Sequence, residues 1–345
     1  MPRGAPTGAV LGAVVAVATV ASWPTPAQEA VGQQHVRRPT PAPSVVAEPA
    51  RKQNDGFEVA VISDLNQSYG STHYGKDVHA AVRALTERLR PGLLLVTGDM
   101  VAGQRADVDP PAMWRGFRAA VIEPLRRAGI ALAPTPGNHD ASPSFRGERA
   151  EYVKQWPAAE ADLDFIDAEH YPVRYSFSYK GAFFLSLDAA SVGPLSGAQL
   201  GWVEAQLRSA ASFPVKIAFG HLPLHPLSRG REREILNDDA LEALFTRYGV
   251  DLYASGHHHA YYPGVTASFR QLSMPCLGAG PRALIGTERA SQTALVMLRV
   301  DDGSVSELEA FAAPDFSTTI PRSTLPPRIV LGRHLLIRDD LAHLE

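Results

Sequence analysis

The sequence predicts an α/β protein with mixed β-sheets, and two observations lead to this expectation. Short apolar segments alternate with segments of helical spacing over residues 57–257, and further β-rich runs follow towards the C-terminus. Alternating strands and helices are typical of parallel sheets, whereas consecutive β-rich runs are typical of antiparallel pairs. The 345 residues are enough for one large domain or two ordinary ones.

The first 55 residues are predicted to lie outside the folded domain. Residues 1–27 contain Arg3, an apolar run over 8–21 and a small-residue site ending at Ala27, which is the arrangement of a secretory signal peptide. A retained anchor or a short buried helix is the alternative, but this run is shorter than the roughly 20 residues that span a bilayer. Residues 28–55 are rich in Pro and Ala and predict an extended linker. We therefore expect an exported protein, periplasmic or secreted, whose mature chain has no transmembrane anchor.

The catalytic domain is predicted over residues 56–313. Its first half contains strands at 57–63, 93–98 and 130–137 and helices at 76–90 and near 111–128. Its second half contains a hairpin over 173–188 that turns at Lys180–Gly181, helices at 196–210 and 238–249, strands at 215–221 and 250–257, and β-like runs at 265–274 and 293–300. Ser196 and Gly249 are expected to cap their helices. The tail, residues 314–345, begins Pro-rich and ends in a segment compatible with a short helix.

Charge and cysteine content exclude several classes of function. The formal net charge is −3, with 33 basic and 36 acidic residues, so no general attraction to nucleic acid or to an anionic membrane is expected. Cys276 is the only cysteine, which excludes an internal disulfide and a thiolate metal cage. We interpret Cys276 as a small buried apolar side chain.

Polar side chains capable of binding metal follow five of the predicted strands. Asp64 and Asn66 follow the first strand, Asp99 the second, Asn138, His139 and Asp140 the third, His221 the strand at 215–221, and His257, His258 and His259 the strand at 250–257. Functional sites of open α/β sheets gather at the carboxyl ends of strands, so these groups are expected to converge. Carboxylate, amide and imidazole ligands suit hard or borderline divalent cations, and at least six candidates favour two metals over one.

In their order along the chain, these segments resemble the motifs of the calcineurin-like metallophosphoesterases, and the resemblance spans roughly residues 57–313. It implies a sandwich of two mixed β-sheets flanked by helices, with a dinuclear metal site at one edge. It also implies that Asp64, Asp99 and His259 bind the first metal, and Asp99, Asn138, His221 and His257 the second. Asp99 would then bridge the two metals. His258 is the intervening residue of the Gly-His-any-His pattern, and strand alternation also turns it away from its neighbours.

The chain departs from the family pattern at Asn66, where a His is usual. Whether Asn66 ligates directly, through water or not at all stays open; the first metal would bind less tightly or be a harder ion such as Mn²⁺ or Mg²⁺. Among Mn, Fe, Zn and Mg the identity of the metals is open. Ala102 stands where purple acid phosphatases have a Tyr, so a purple Fe³⁺–tyrosinate site is not expected. His73 would be a substitute ligand, but a surface loop His is the favoured interpretation.

The resemblance implies hydrolysis of a small phosphate mono- or diester by a metal-bridging hydroxide. His139 would assist the leaving group with Asp140 orienting its ring, and Asn138 and His139 would contact the substrate. Apart from the resemblance, the Gly-rich run 278–286 makes Arg282 a candidate phosphate contact, with an ordinary turn as the alternative. Tyr69 is equally compatible with a pocket and with an ordinary turn, and the arginines at 229, 231 and 233 are interpreted as a solvated charge run rather than a second phosphate site. The alternative function is a non-catalytic, secreted metal-binding protein on the same fold. A nuclease is disfavoured because no basic stripe is present.

Overall fold

The computed structural model describes residues 56–266, 269–278 and 280–342. The predicted signal peptide and linker, residues 1–55, lie outside these ranges. Within them, every helix is too short or too polar to cross a lipid bilayer.

The β-strands, numbered along the chain, form two mixed sheets, which confirms the predicted class of fold. They are β1 (Phe57–Ile62), β2 (Leu93–Val96), β3 (Ala131–Pro134), β4 (Asp164–His170), β5 (Arg174–Tyr179), β6 (Ala182–Ser186), β7 (Val215–Phe219), β8 (Leu252–Ser255), β9 (Tyr262–Val265), β10 (Arg270–Ser273), β11 (Ala294–Asp301), β12 (Ser304–Ala312), β13 (Thr318–Thr319), β14 (Arg328–Leu331) and β15 (His334–Arg338). The first sheet has the order β13-β12-β11-β1-β2-β3, and the second has the order β14-β15-β9-β10-β8-β7-β6-β5-β4.

The helices lie on the outer faces of the two sheets. They are α1 (Lys76–Arg83), α2 (Pro110–Phe117), α3 (Glu123–Arg127), α4 (Asn138–Ala141), α5 (Arg146–Gln155), α6 (Gly197–Ser209) and α7 (Asp239–Tyr248). The segment Ala84–Leu89 continues α1 and Arg118–Ile122 joins α2 to α3, both with π-helical hydrogen bonding. The helices predicted at 76–90 and near 111–128 are therefore helical over their length, with wider turns in part.

An apolar layer between the two sheets makes the structure a sandwich. Val59 of β1 and Leu95 of β2 belong to the same buried cluster as Phe184 of β6 and Ile217 of β7. Side chains of the opposite parity along the strands point outwards and are covered by helices: Ile62 packs in a cluster with α1 and α2, and Leu185 packs in one with α6 and α7. This two-sided burial explains why these strands read as continuous apolar runs.

Local sequence signals account for the turns and helix ends of the second half. Lys180 and Gly181 both have positive φ, 47° and 83°, as a two-residue turn between β5 and β6 requires. Ser196 accepts a hydrogen bond from the backbone of Gln199 at the start of α6, and Gly249 ends α7 in a left-handed conformation. The predicted hairpin and both predicted caps are confirmed.

The C-terminal segment differs from the prediction. β14 and β15 form a hairpin that pairs with β9, and β13 pairs with β12. The expected short helix is only the 3₁₀ turn Asp339–Leu341. Ile329 and Leu336 are buried while their neighbours Val330 and Leu335 are exposed, which is the alternation of a strand. The end of the catalytic domain predicted at residue 313 therefore falls between β12 and β13, which pair with one another.

Parallel pairing brings the functional ends of the strands together. β1, β2 and β3 are parallel neighbours in the first sheet, and β6, β7 and β8 are parallel neighbours in the second. The carboxyl ends of each set therefore lie at one edge of its sheet.

Candidate metal centre

The loops that follow β1, β2, β7 and β8 and the first turn of α4 converge on one buried cluster of polar side chains. The ligand-capable atoms of Asp99, His221 and His257 lie within 4.8 Å of one another, and so do those of Asp64, Asp99 and His259. Asp99 belongs to both groups. Asn138, the first residue of α4, adds its Oδ1 2.8 Å from His221 Nε2. The structure thus brings together the six side chains that were predicted as ligands, apart from Asn66.

The backbone at the cluster is held in an uncommon conformation. Asp64, Asp99, His257 and His259 have φ values of 50°, 53°, 63° and 51°. The left-handed region is costly for residues other than Gly, at roughly 1–3 kcal/mol each, and such residues concentrate at functional sites. Four strained residues in one cluster indicate that the surrounding structure determines where these side chains point.

Glycines next to the cluster permit a close approach of neighbouring loops. A Cβ atom at Gly137 would lie 2.1 Å from the backbone nitrogen of Asp99, and one at Gly98, where φ is 89°, would lie 2.6 Å from His221 Nδ1. No side chain fits at either position. The glycines are therefore required by packing between loops as well as by the turn that each loop makes.

Hydrogen bonds to carbonyl groups orient two of the imidazoles. His221 Nδ1 donates to the Thr97 carbonyl at 2.8 Å, and His259 Nδ1 donates to the Gly280 carbonyl at 2.9 Å. Each ring then directs Nε2 at the cluster, where His259 Nε2 lies 3.1 Å from Asp64 Oδ1, and a bound metal would displace the proton on that nitrogen. A second partner of this kind fixes the tautomer of a metal-binding histidine.

The ring of His257 is oriented the other way round, with Nδ1 rather than Nε2 facing the cluster. The residue that orients it, Glu234, was not singled out in the sequence. His257 Nε2 lies 2.9 Å from Glu234 Oε2, and His257 Nδ1 lies 3.3 Å from His221 Nε2, inside the cluster. The hydrogen bond from His257 lowers the pKa of Glu234 to about 2. Glu234 lies in a run of alternating charges, "RGRERE", which resembles a solvated loop, so nothing local identified it as a partner of His257.

His258 faces away from the other two histidines, as predicted, but not because of strand alternation. β8 ends at Ser255, and the positive φ angles on either side of His258 turn its ring aside. It is fully buried, and its Nε2 donates to the Glu234 backbone carbonyl at 3.1 Å. Burial, and then the neighbouring His257, lower the pKa of His258 to about 3. It is a neutral structural side chain.

The electrostatics of the cluster favour a bound cation. Burial alone would raise the pKa of Asp99, but His221 and His139 outweigh it and the pKa falls well below its usual range. Burial would likewise lower the pKa of His221, but Asp99 outweighs it and raises that pKa to about 9. Protons on the imidazoles therefore compensate two buried carboxylates, and a metal ion that displaces those protons would do so as well. Oxygen and nitrogen donors without sulfur fit Mn²⁺, Fe²⁺ or Zn²⁺.

His139 lies beside the cluster, but Asp140 does not orient it. His139 Nδ1 is 3.2 Å from the Gly103 carbonyl, and its Nε2 is 3.9 Å from Asp99 Oδ2. Asp140 instead accepts hydrogen bonds from the backbone N–H groups of Val101 and Gly137, at 2.8 and 3.1 Å. The predicted role of Asp140 is therefore wrong. Its side chain turns back to cap the start of α4, a usual role for an acidic residue in a first turn, and the Gly103 carbonyl holds the ring.

The remaining predicted residues lie at different distances from the cluster. The backbone N–H of Asn66 donates to the Asp99 carbonyl at 3.1 Å, and ligation by its side chain stays a prediction. His73 is exposed and contacts Thr72, in agreement with the surface interpretation. Arg282 donates its backbone N–H to the His259 carbonyl at 3.1 Å, but its side chain is not among those lining the cavity beside His139.

That cavity has a volume of about 420 Å³ and opens over the cluster. Asn138, His139 and His257 line it, together with Glu234, Arg231 and the exposed side chain of Tyr69. Tyr69 is thus placed at a pocket rather than in an unrelated turn. Pockets of this size admit an organic molecule of moderate size.

Comparisons with known proteins agree with this architecture. A family model described as calcineurin-like phosphoesterase matches residues 57–261. A purple acid phosphatase from yellow lupin (Lupinus luteus) seeds superposes with a TM-score of 0.57 at 17% identity, covering 77% of this chain and 52% of the lupin chain. The chain therefore spans about half the length of the lupin enzyme. A dimetal phosphatase from Danio rerio gives a TM-score of 0.48 at 16% identity, covering 74% and 98% of the two chains. A comparison with curated proteins finds no match.

Proposed function

The chain belongs to the calcineurin-like phosphoesterase family, and from this premise we propose that it is a metal-dependent hydrolase of phosphoric esters. The observation that carries the proposal is the pair of ligand groups that share Asp99, beside an open cavity that is lined by His257 of one group and by His139. A site that only stores metal would need neither this cavity nor a histidine such as His139, which lies beside the ligands without being one of them.

Two divalent cations fit the donor set. We assign Asp64, Asp99 and His259 to one, and Asp99, Asn138, His221 and His257 to the other. Bound cations would supply Lewis acidity, which lowers the pKa of a nucleophilic water and stabilises charge on the phosphoryl oxygens. The two carboxylates against two divalent cations leave the centre positive by formal counting, which attracts an anionic ester.

His139 is assigned to the leaving group. The Gly103 carbonyl accepts from Nδ1, so the proton that can be transferred is the one on Nε2 of the imidazolium. Nε2 lies 3.9 Å from Asp99 Oδ2, and the His139 side chain, which lines the cavity, is 16% exposed. When the ester bond breaks, Nε2 gives its proton to the departing oxygen, and the neutral ring keeps its Nδ1 hydrogen bond. General acid catalysis of this kind contributes typically 10²–10⁴-fold.

Export is also proposed. The segment 1–27 is the basis for this, with its basic start, apolar run and small-residue site. We expect the chain, when it is expressed in its native host and detected with an antibody against its C-terminus, to occur in the periplasm or medium. It should be shorter than the full chain by about the length of this segment. Retention of the full-length chain in the cytoplasm would refute export but not the catalytic proposal.

The test of the catalytic proposal is turnover of p-nitrophenyl phosphate and bis-p-nitrophenyl phosphate by chelator-stripped protein that has been reloaded with Mn²⁺. We expect activity that requires the metal, and the preferred ester distinguishes monoesterase from diesterase. His139→Ala should lose turnover while it retains bound metal, and His73→Ala, a surface histidine, should match the wild type. No turnover of either ester with metal bound would contradict the proposal.

A further inference from the structure

The rim of the active-site cavity carries two exposed apolar side chains. Among the described residues, Val192 and Tyr69 are the most exposed of the large apolar side chains, at 59% and 55%, and both line this cavity. Single exposed apolar residues are common, but two at the mouth of one polar pocket form a surface that water solvates poorly.

The backbone holds Tyr69 at the tip of a tight turn. Ser71 N donates to the Ser68 carbonyl at 3.0 Å, and Gly70 has φ of 76°, which places Tyr69 at the second position of a four-residue turn. Gly70 N donates to the Ala102 carbonyl at 2.8 Å, in the loop after β2 that carries Asp99. The loop carrying Tyr69 is therefore tied to the loop of the shared metal ligand.

Side-chain contacts further restrict the Tyr69 ring. Its centroid lies 5.3 Å from that of His139, and the Arg105 guanidinium lies 5.9 Å from it, itself held by Asp107. The ring is thus placed before a ligand arrives, so that little side-chain entropy is lost on stacking.

Val192, the second exposed apolar residue of the lining, lies in a loop that is similarly anchored. Gly193 N donates to the Ile235 carbonyl at 3.0 Å, next to Glu234 in the cavity wall. Both apolar side chains of the rim therefore have fixed backbone positions relative to the ligand cluster.

Among the described residues, the side chains that line the cavity provide no unpaired cation for a second anionic group. Arg231 is the one Lys or Arg among the described residues that line it, and Arg231 is paired with Glu234. Arg229 is paired with Glu288 outside the lining. A substrate with one phosphoryl group and an uncharged remainder matches this arrangement better than a nucleoside polyphosphate does.

We infer that the substrate is a phosphate ester whose leaving group carries a flat aromatic ring, stacked on Tyr69 and flanked by Val192 while the phosphoryl group lies over the Asp99-centred ligands. The inference rests on the proposed phosphoesterase function and specifies its substrate class. Tyr69 is a specificity residue because it touches the leaving group and none of the bonds that form or break.

Two phosphonates that cannot be hydrolysed, phenylphosphonate and methylphosphonate, provide the test. Each is titrated calorimetrically into the Mn²⁺-loaded full chain. We expect the wild type to bind phenylphosphonate about tenfold more tightly than methylphosphonate, and Tyr69→Ala to reduce this preference about fivefold. Because the same ratio is compared between variants, differences in charge between the two phosphonates cancel.

Matched variants separate stacking from other effects. Tyr69→Phe keeps the ring and should keep the preference, whereas Val330→Ala, an exposed apolar residue of the C-terminal hairpin, should have no effect. An unchanged ratio in Tyr69→Ala, with methylphosphonate still bound, would overturn the inference and leave the phosphoesterase proposal intact. Failure of the metal-loaded wild type to bind either phosphonate would overturn both.

Discussion

Glu234 is expected to determine which nitrogen of His257 faces the metal. Its Oε2 lies 2.9 Å from His257 Nε2, and Arg231 Nη1 lies 3.0 Å from the same nitrogen. With Glu234 present, Nε2 carries the proton and donates to the carboxylate, which leaves Nδ1 free for the metal. Without Glu234, the nearest partner of Nε2 is a guanidinium, which can only donate. Nε2 must then accept, and the proton moves to Nδ1, where it blocks ligation.

The expected magnitudes follow from these contacts. Loss of an outer partner of a metal-binding histidine typically costs 10–100-fold in affinity. Glu234→Gln should weaken Mn²⁺ binding about tenfold, because an amide oxygen still accepts from Nε2. Glu234→Ala should weaken it about 100-fold, or about 2.7 kcal/mol, because the unfavourable tautomer is added to the lost partner. The Glu234 side chain is 42% exposed, so solvent screens its direct charge effect and the tautomer is the larger contribution.

Calorimetric titration of stripped protein with Mn²⁺ measures this effect, and the Arg231→Ala background isolates its cause. Arg231→Ala alone should change the affinity less than about threefold, and the double variant should recover to about tenfold weaker than wild type. Wild-type affinity in Glu234→Ala would refute the role of the carboxylate. A double variant no better than Glu234→Ala would refute the tautomer explanation.

Three further predictions concern the cluster itself. Asp99→Asn should abolish turnover and lower the metal content per chain measured by elemental analysis, because Asp99 belongs to both ligand groups; two metals retained would contradict sharing. His258→Ala should reduce the free energy of unfolding by about 2 kcal/mol, since it leaves a cavity and an unpaired carbonyl, yet it should bind metal as the wild type does, unlike the alanine variants of either neighbouring histidine. In metal-free protein the raised pKa of His221, about 9 against about 6.5 when unfolded, means that the folded state holds this proton more tightly. About 3 kcal/mol of stability should therefore be present below pH 6.5 and be lost as the pH rises through 9. Urea denaturation at a series of pH values should show this loss of stability in the presence of chelator but not in metal-loaded protein. The same dependence of stability on pH in both would contradict the assignment.

The fold and the ligand cluster were largely predictable because their signals are local. Apolar runs, Ser196, Gly249 and the Lys180–Gly181 turn each specify their own element, and parallel strands necessarily bring Asp64 and Asp99 to one edge. The last two strands were not predicted, because each buries a single apolar face and one of them follows a Pro-rich stretch.

Contacts between distant segments could not be predicted in the same way. Glu234 precedes His257 by 23 residues. It contacts His257 only because the two residues lie in segments that follow β7 and β8, which are neighbouring strands of the same sheet. Asp140 directly follows His139, so the two residues look like a His–Asp pair in the sequence. In the first turn of a helix, however, the Asp140 carboxylate lies closer to backbone N–H groups than to the His139 ring. Sequence adjacency was therefore a poor guide to which group orients His139.

The most direct test of the central claim is the rate of p-nitrophenyl ester hydrolysis by stripped protein as a function of Mn²⁺ equivalents added per chain. Two ligand groups that share Asp99 predict that turnover rises until two equivalents are bound and then stays constant. Full turnover at one equivalent would contradict a dinuclear centre. No turnover of either ester at two bound equivalents would contradict a phosphoesterase that acts through this cluster.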